Sequence, residues 1–375
     1  MAADVDWQFA RRVAGRVSGD EPFAGSYHQA SLELDLLELT VEAEGLVEAE
    51  TGLVSSAGPA RARVTDRQGW IDANLASFER LMRPLIGRLG HHDGEPDRWR
   101  GQPGLIASVG RAVTSAGDAV GPKVAGAELG AMLGWMASRV LGQYDLLIVE
   151  DDEPDDQDWV YYVGPNLLSL EKRYGFPPRE FRLWIAVHEC THRAQFTGVP
   201  WLRPYFLSLV DELLDSVDPD PKRFLDAIGQ TVRDARQGTG PSLADGGLSM
   251  LFASPEQRET IRKVTGLMSL LEGHGDITMD RATRELIPSQ ARFARVMSQR
   301  RKNASGLSRI VQRLTGLEAK LAQYEEGEDF VRAVETAGGR ELFDLVWSGP
   351  EALPTIDEIR QPDLWIGRAR APAGA

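Results

Sequence analysis

Two histidines stand four residues apart in the stretch RLWIAVHECTHRAQF, in a chain that has six histidines in all. On a helix, residues at this spacing lie one turn apart on the same face, so the imidazoles of His188 and His192 can both reach a single ion. A zinc ion (Zn2+) bound there lowers the pKa of water, and the neighbouring carboxylate of Glu189 can take the proton. The motif therefore predicts a hydrolytic metal site on a helix, the alternative being a buried histidine pair with a structural role.

A catalytic zinc needs a third protein ligand and one open position. The longer pattern HExxHxxGxxH is absent, because Gln195 and Gly198 stand where it requires glycine and histidine. The segment SLLEGHGDITMD offers Glu272 and Asp276, which are four residues apart and share a helix face. We expect Glu272 to be the ligand and Asp276 to accept the ring N–H of a ligand histidine. His274, which points away from that face, is the alternative ligand.

Three further residues are candidates for supporting roles. Gln195 lies one turn beyond His192 and either orients that histidine or caps a packing layer. Lys320 and Tyr324 lie in the segment EAKLAQYEEGE. A tyrosine near zinc can donate a hydrogen bond to an oxyanion, and a lysine can hold a substrate carboxylate. The alternative for both residues is ordinary helix surface and core.

The composition excludes several classes of function. The chain has 375 residues and a formal net charge of −14, which argues against nonspecific nucleic-acid binding because phosphates need a basic surface. No apolar stretch is long enough to span a membrane comfortably. Cys190 is the only cysteine, so no intrachain disulfide can form, and the N-terminus lacks the pattern of a signal peptide. We therefore expect a cytoplasmic protein that binds neither nucleic acid nor membrane.

Hydrophobic periodicity predicts an α+β fold that is predominantly helical. The segments YDLLIVE (144–150) and WVYYVG (159–164) are rich in β-branched and aromatic residues and predict two short strands. They precede the motif helix, so we expect a catalytic core with a small sheet beside the active-site helix. The predicted division is an N-terminal helical region (1–119), the catalytic core (120–290), and a C-terminal helical region and tail (291–375).

Two other features predict local packing. Gly126, Gly130 and Gly134 recur at four-residue spacing, which predicts close helix–helix contact in the core and resembles the dimer faces of membrane helices. The segment that follows Gly349 is rich in proline and predicts a tail that wraps the surface.

The chain resembles zincin metallopeptidases of the gluzincin kind, in which a glutamate on a later helix is followed four residues on by an aspartate. Glu272 and Asp276 match this ExxxD pattern. More closely, the chain resembles a family of zincin-like hydrolases in the motif continuing to Gln195-Phe196 and in LGQYDL, MSLLEGH and KLAQYEEGEDF. The opening VDWQFARRVAGRV is similar to a branch labelled as associated with biosynthesis of the deazaflavin coenzyme. The resemblance implies a zincin-like catalytic core, zinc as cofactor and a sheet edge that binds an extended substrate.

Two functions follow from these observations. The first is a zinc-dependent hydrolase, a metallopeptidase or amidohydrolase that acts on a peptide or small amide substrate through metal-activated water with Glu189 as general base. The second is a zincin-fold binding or scaffold protein without turnover, which assists a biosynthetic pathway. The intact Glu189 favours the enzyme, because a scaffold does not need that carboxylate. A metal assay combined with a screen of peptide and amide substrates discriminates between them.

Overall fold

A computed structural model describes residues 5–89, 121–146, 158–215, 255–302 and 317–371. Helices dominate these residues, and a small sheet accompanies them, which confirms the predicted fold class. The α-helices in chain order are α1 (Trp7–Ser18), α2 (Tyr27–Thr51), α3 (Arg67–Leu89), α4 (Gly121–Ala137), α5 (Gly164–Tyr174), α6 (Pro178–Gly198), α7 (Leu202–Asp215), α8 (Pro255–Ala282), α9 (Gln290–Lys302), α10 (Leu317–Phe343), α11 (Ile356–Arg360) and α12 (Pro362–Arg370). The strands are β1 (Arg61–Thr65), β2 (Gly142–Tyr144) and β3 (Trp159–Val163), and 3-10 turns span Asp344–Trp347 and Pro350–Ala352.

The chain divides into two compact units, each assembled from segments that are separated in the sequence. Of the described residues, the first unit comprises 5–41, 60–89, 121–146 and 158–186. The second comprises 42–59, 187–215, 255–302 and 317–371. The division into regions 1–119, 120–290 and 291–375 stays a prediction.

The sheet belongs to the first unit and has the order β1-β3-β2. The central strand β3 pairs parallel with β1 and antiparallel with β2. Strand β1 was not among the sequence predictions, because its sequence RARVT carries two arginines. Their charge is accommodated by aromatic rings of the neighbouring strand, since the guanidinium carbons of Arg61 and Arg63 lie 4.6 Å and 4.2 Å from the centre of the Trp159 ring.

Within the described residues, the strand predicted over YDLLIVE is observed only at the first residue of that segment. The observed strand β2 ends at Tyr144, the first residue of that segment. The Asp145 N–H still donates to the carbonyl oxygen of Trp159 in β3 at 3.0 Å, whereas the Leu146 N–H donates back to the carbonyl oxygen of Tyr144 at 3.0 Å. Residues 147–150 lie outside the described part of the chain. The predicted strand over WVYYVG is confirmed as β3.

Helices α1 and α4 of the first unit pack at backbone contact. A Cβ atom placed on Gly130 would lie 2.3 Å from the carbonyl oxygen of Ala10, and one on Gly134 would lie 2.3 Å from that of Ala14. No side chain fits at such distances, which confirms that the glycine spacing serves close helix packing. Trp70, Ile71 and Leu133 are among the buried residues that complete this core.

Helices α8 and α10 of the second unit make a similar close crossing. A Cβ atom on Gly273 would lie 2.2 Å from the carbonyl carbon of Gly327, and one on Gly327 would lie 2.0 Å from the carbonyl oxygen of Ser269. Helix α10 kinks further on, at Gly338 and Gly339, where Gly339 has a φ of 72°. The left-handed conformation at this kink favours glycine.

The proline-rich segment beyond Gly349 is largely helical, which was not predicted from the sequence, and its wrapping of the surface stays a prediction. The segment beyond Gly349 forms the short helices α11 and α12, and α11 starts with a capping box between Thr355 and Glu358. Trp365 is buried, and its indole N–H donates to the carbonyl oxygen of Ala352 at 2.8 Å. Pro350 begins the second 3-10 turn and Pro362 begins α12, positions that proline tolerates because an N–H there would have no partner within the helix.

None of the described helices is both long enough and apolar enough to cross a membrane.

Candidate functional site

Helix α6 carries the motif and begins at Pro178. It brings the rings of His188 and His192 together with centroids 4.7 Å apart and planes nearly perpendicular at 87°. The two Nε2 atoms lie 3.2 Å apart. The helical spacing therefore directs one nitrogen of each ring to a common point.

An arginine within the same helix anchors it to the rest of the second unit. The guanidinium of Arg193 is almost fully buried and donates to Glu44 Oε1 at 2.5 Å and to the carbonyl oxygen of Gly58 at 2.7 Å. A buried charge persists only when it is paired and hydrogen-bonded. The contacts of Arg193 thus hold the turn that carries His192 against α2 and the segment that follows it.

Glu272 on helix α8 reaches the same point as the two histidines. Its Oε2 lies 3.6 Å from His192 Nε2 and 3.8 Å from His188 Nε2. Asp276, one turn further along α8, places its Oδ1 3.6 Å from the other ring nitrogen of His188, Nδ1. Glu272 thus contacts the two converging Nε2 atoms, whereas Asp276 contacts the opposite nitrogen of the His188 ring.

The three groups form a cluster whose donor atoms suit zinc. Among the described residues, His188, His192 and Glu272 each offer one ligand atom, and these atoms lie within 4.8 Å of one another. Two ligands of one tetrahedral zinc, each at about 2.1 Å, lie roughly 3.4 Å apart. The observed separations of 3.2, 3.6 and 3.8 Å are close to that value. Two imidazoles and one carboxylate are also a ligand set that catalytic zinc uses.

The electrostatics of the cluster favour a positive charge. Burial alone would lower the pKa of His192, but its close contact with Glu272 and the charges of Glu272 and Glu189 outweigh burial and raise the pKa to about 9. The same negative field that binds a proton at this ring would attract a metal cation.

Glu189 is itself buried, with 7% of its surface exposed, although it is not one of the three clustered groups. It follows His188 directly in the chain and acts on the electrostatics of His192 from close range. An ionisable carboxylate in this position is available to exchange protons beside the cluster.

Gln195 and His274 form a second layer behind His192. Gln195 Oε1 lies 3.0 Å from His192 Nδ1, and Gln195 Nε2 lies 3.0 Å from the carbonyl oxygen of Leu271 and 2.9 Å from His274 Nδ1. The ring of His274 stacks on Phe343 at 5.4 Å between centroids. Burial lowers the pKa of His274 to about 3, so its ring is neutral.

The alternative ligand His274 therefore points away from the cluster. Its ring lies between Gln195, Phe343 and Trp347, with a centroid distance of 5.4 Å to Trp347 as well. The backbone of Lys320 and Tyr324 belongs to helix α10, whereas their side chains lie outside the described part of the chain. Their roles stay predictions.

Sequence reasoning missed the contacts that position Glu272. Gly273, the next residue, lies against Gly327 at the α8–α10 crossing. Gly275 lines the cluster, since a Cβ atom there would lie 3.4 Å from His192 Cε1 and 3.6 Å from His188 Cε1. The signal available in the sequence was the pair of glycines on either side of His274, within a segment otherwise patterned as a helix.

Comparison with known proteins places this geometry in a family. A solved structure that matches is the crystal structure of an inferred hydrolase with a novel fold from Chloroflexus aurantiacus, which is 30% identical with a TM-score of 0.69. The match covers 98% of this chain and 100% of that one. No curated protein is significantly similar to the chain. The closer resemblance to the deazaflavin branch stays a prediction. A family model described as zincin-like metallopeptidase matches residues 5–366, so the chain belongs to the zincin-like metallopeptidase family.

Proposed function

We propose that this protein is a zinc-dependent hydrolase that cleaves a peptide or another small amide. The observation that carries the proposal is the convergence of His188 Nε2, His192 Nε2 and Glu272 Oε2 at separations of 3.2 to 3.8 Å beside the buried Glu189. Membership of the zincin-like metallopeptidase family supports the same class of chemistry.

The three clustered side chains would hold zinc and leave one position open. When bound, zinc acts as a Lewis acid that lowers the pKa of water and polarises a carbonyl oxygen. Asp276 Oδ1 faces His188 Nδ1, and Gln195 Oε1 faces His192 Nδ1, so an oxygen atom stands behind each histidine. Such partners orient ligand rings and raise their basicity.

Glu189 supplies the proton transfer in this proposal. Its carboxylate takes a proton from the attacking water and then delivers that proton to the nitrogen of the leaving amine. The breaking amide bond thereby releases a neutral amine, and the carboxylate returns to its starting state.

Replacing Glu189 tests the proposal. Glu189→Gln keeps the shape of the side chain and removes the base, so hydrolysis should fall by about a hundredfold or more while zinc is retained. Glu180→Gln, the same change in the first turn of α6, is the matched control and should retain both properties. Zinc content and turnover would be measured together on purified protein, against a library of peptides and simple amides.

Two outcomes would contradict the proposal. Undiminished turnover by zinc-loaded Glu189→Gln would remove Glu189 from the proton transfer. A wild-type protein that binds zinc stoichiometrically and hydrolyses nothing in the library would instead favour a binding or scaffold protein.

A further inference from the structure

Hydrogen bonding allows the side-chain amide of Gln195 only one orientation. Its Nε2 lies 3.0 Å from the carbonyl oxygen of Leu271, and a carbonyl oxygen can only accept a hydrogen bond. Exchanging the amide nitrogen and oxygen would set two acceptors against each other. Leu271 therefore requires the nitrogen of Gln195 to face helix α8 and its oxygen to face His192, 3.0 Å from Nδ1.

This orientation determines where His192 carries its proton. The oxygen of Gln195 accepts, so His192 Nδ1 must donate and carries a hydrogen. His192 Nε2, which lies 3.2 Å from His188 Nε2 and 3.6 Å from Glu272 Oε2, is then the nitrogen that can present a lone pair to the cluster. The tautomer of a ligand histidine is set in general by the partner of its other nitrogen.

The same amide also determines the role of His274. Gln195 Nε2 has two hydrogens, and the second is directed at His274 Nδ1 at 2.9 Å. That nitrogen must therefore accept. Phe343 and Trp347 pack on the His274 ring, and the carbonyl oxygen of Trp347 accepts a hydrogen bond from the Trp201 indole at 2.8 Å. The acceptor is thus carried on a ring that neighbouring aromatic side chains hold in place.

We propose that His274 is a positioning residue for metal binding: its Nδ1 and the Leu271 carbonyl orient Gln195, which holds His192 with its Nε2 directed at Glu272. The inference rests on the proposed zinc site and deepens it. Because Leu271 precedes Glu272 in the chain, one turn of α8 supplies both a ligand and the anchor for the orientation of another ligand. His274 therefore acts on the metal site through a hydrogen-bonded relay, from His274 to Gln195 to His192, and does not contact the ion.

Two substitutions of His274 separate the hydrogen bond from the packing. His274→Phe keeps an aromatic ring against Phe343 and Trp347 and removes the acceptor. His274→Asn removes the ring and offers a side-chain oxygen in place of Nδ1. Loss of a partner behind a metal ligand costs about ten- to a hundredfold in affinity. Zinc affinity, measured by competition with a chromophoric chelator, should fall by about tenfold or more in His274→Phe and stay much closer to wild type in His274→Asn.

Gln195→Leu gives the largest loss of zinc affinity that the relay can cause, because it removes the acceptor that contacts His192 directly. Its loss of zinc affinity should equal or exceed that of His274→Phe. Wild-type affinity in either Gln195→Leu or His274→Phe would overturn the inference. The reverse order, with His274→Asn impaired and His274→Phe intact, would show that His274 acts by ring packing alone.

A readout without metal separates this inference from the proposed function. In metal-free protein labelled with 15N-histidine, the hydrogen on His192 Nδ1 should exchange slowly with water, because it is hydrogen-bonded to Gln195. The exchange should become faster in His274→Phe and in Gln195→Leu. If wild-type protein binds no zinc, the zinc-hydrolase proposal fails while this measurement still tests the relay. If zinc binds and the exchange is the same in all variants, the relay fails and the hydrolase proposal stands.

Discussion

Each of the two units contains a pair of helices that cross at backbone contact through glycine, but the two crossings differ in what surrounds them. In the first unit, α1 and α4 meet where Gly130 contacts Ala10 backbone, so closely that a Cβ atom would lie 2.3 Å from a carbonyl oxygen. In the second unit, α8 and α10 meet where Gly273 contacts Gly327, and a Cβ atom on Gly273 would lie 2.2 Å from the carbonyl carbon of Gly327. Both crossings exclude any side chain larger than hydrogen.

The difference lies in the neighbours of each crossing. The first is surrounded by small and apolar residues, such as Ala14 and Leu133, and holds only a core together. The second is bracketed by Glu272, which clusters with His188 and His192, and by His274, which contacts Gln195. A displacement of α8 by about one ångström would therefore move Glu272, the proposed third ligand, and the groups of a functional site must be held to about half an ångström.

Gly273→Ala should have the largest effect, because it acts on both fold and site. The added methyl meets backbone, which cannot move aside as a side chain can, so we expect a loss of about 3 kcal/mol in the stability of the second unit. Zinc affinity of the remaining folded protein should fall by about tenfold or more, as Glu272 shifts. Thermal unfolding and chelator competition measure the two effects. If the folded fraction of Gly273→Ala bound zinc with wild-type affinity, the α8–α10 crossing would not determine the position of Glu272.

Gly130→Ala should cost a similar amount of stability and leave the site intact. Its methyl meets the backbone of Ala10 at a distance nearly equal to that at Gly273, so the loss in the first unit is again about 3 kcal/mol. Zinc affinity per folded molecule should match wild type, since all three clustered side chains belong to the other unit. A parallel fall in zinc affinity would mean that the two crossings are not functionally distinct.

Gly275→Ala should have the smallest effect on stability and zinc affinity. It is the control for Gly273→Ala, because it also places an alanine on α8 but away from the crossing. A Cβ atom here meets the rings of His192 and His188 at 3.4 and 3.6 Å, which is ordinary van der Waals contact. Alanine favours a helix over glycine by about 1 kcal/mol, so unfolding should shift slightly to higher temperature. Zinc affinity should change by less than in Gly273→Ala. A loss as large as that of Gly273→Ala would attribute both effects to crowding at the rings instead of to the crossing.

Sequence patterns predicted most of the secondary structure that carries the site, and their errors have physical causes. Strand β1 was missed because a strand with arginines at alternate positions looks polar, whereas cross-strand contacts with Trp159 make Arg61 and Arg63 suitable sheet residues. The strand predicted over YDLLIVE starts earlier in the structure, at Gly142, because Gly142 and Gln143 pair with Tyr162 and Tyr161 of β3 although neither is apolar. In both cases the partner strand, which is distant in sequence, decided the outcome.

The sequence by itself determined the local part of the site. Helical geometry repeats every few residues, so the spacing of His188 and His192 was sufficient to direct both rings to one point, with Glu189 beside them. Only the tertiary structure decided that Glu272 completes the cluster while His274 turns to Gln195. That choice depends on the rotation and distance of α8 relative to α6, which backbone contact between Gly273 and Gly327 helps to determine. Contacts between residues far apart in the chain depend on how whole helices pack, and no short-range pattern contains that information.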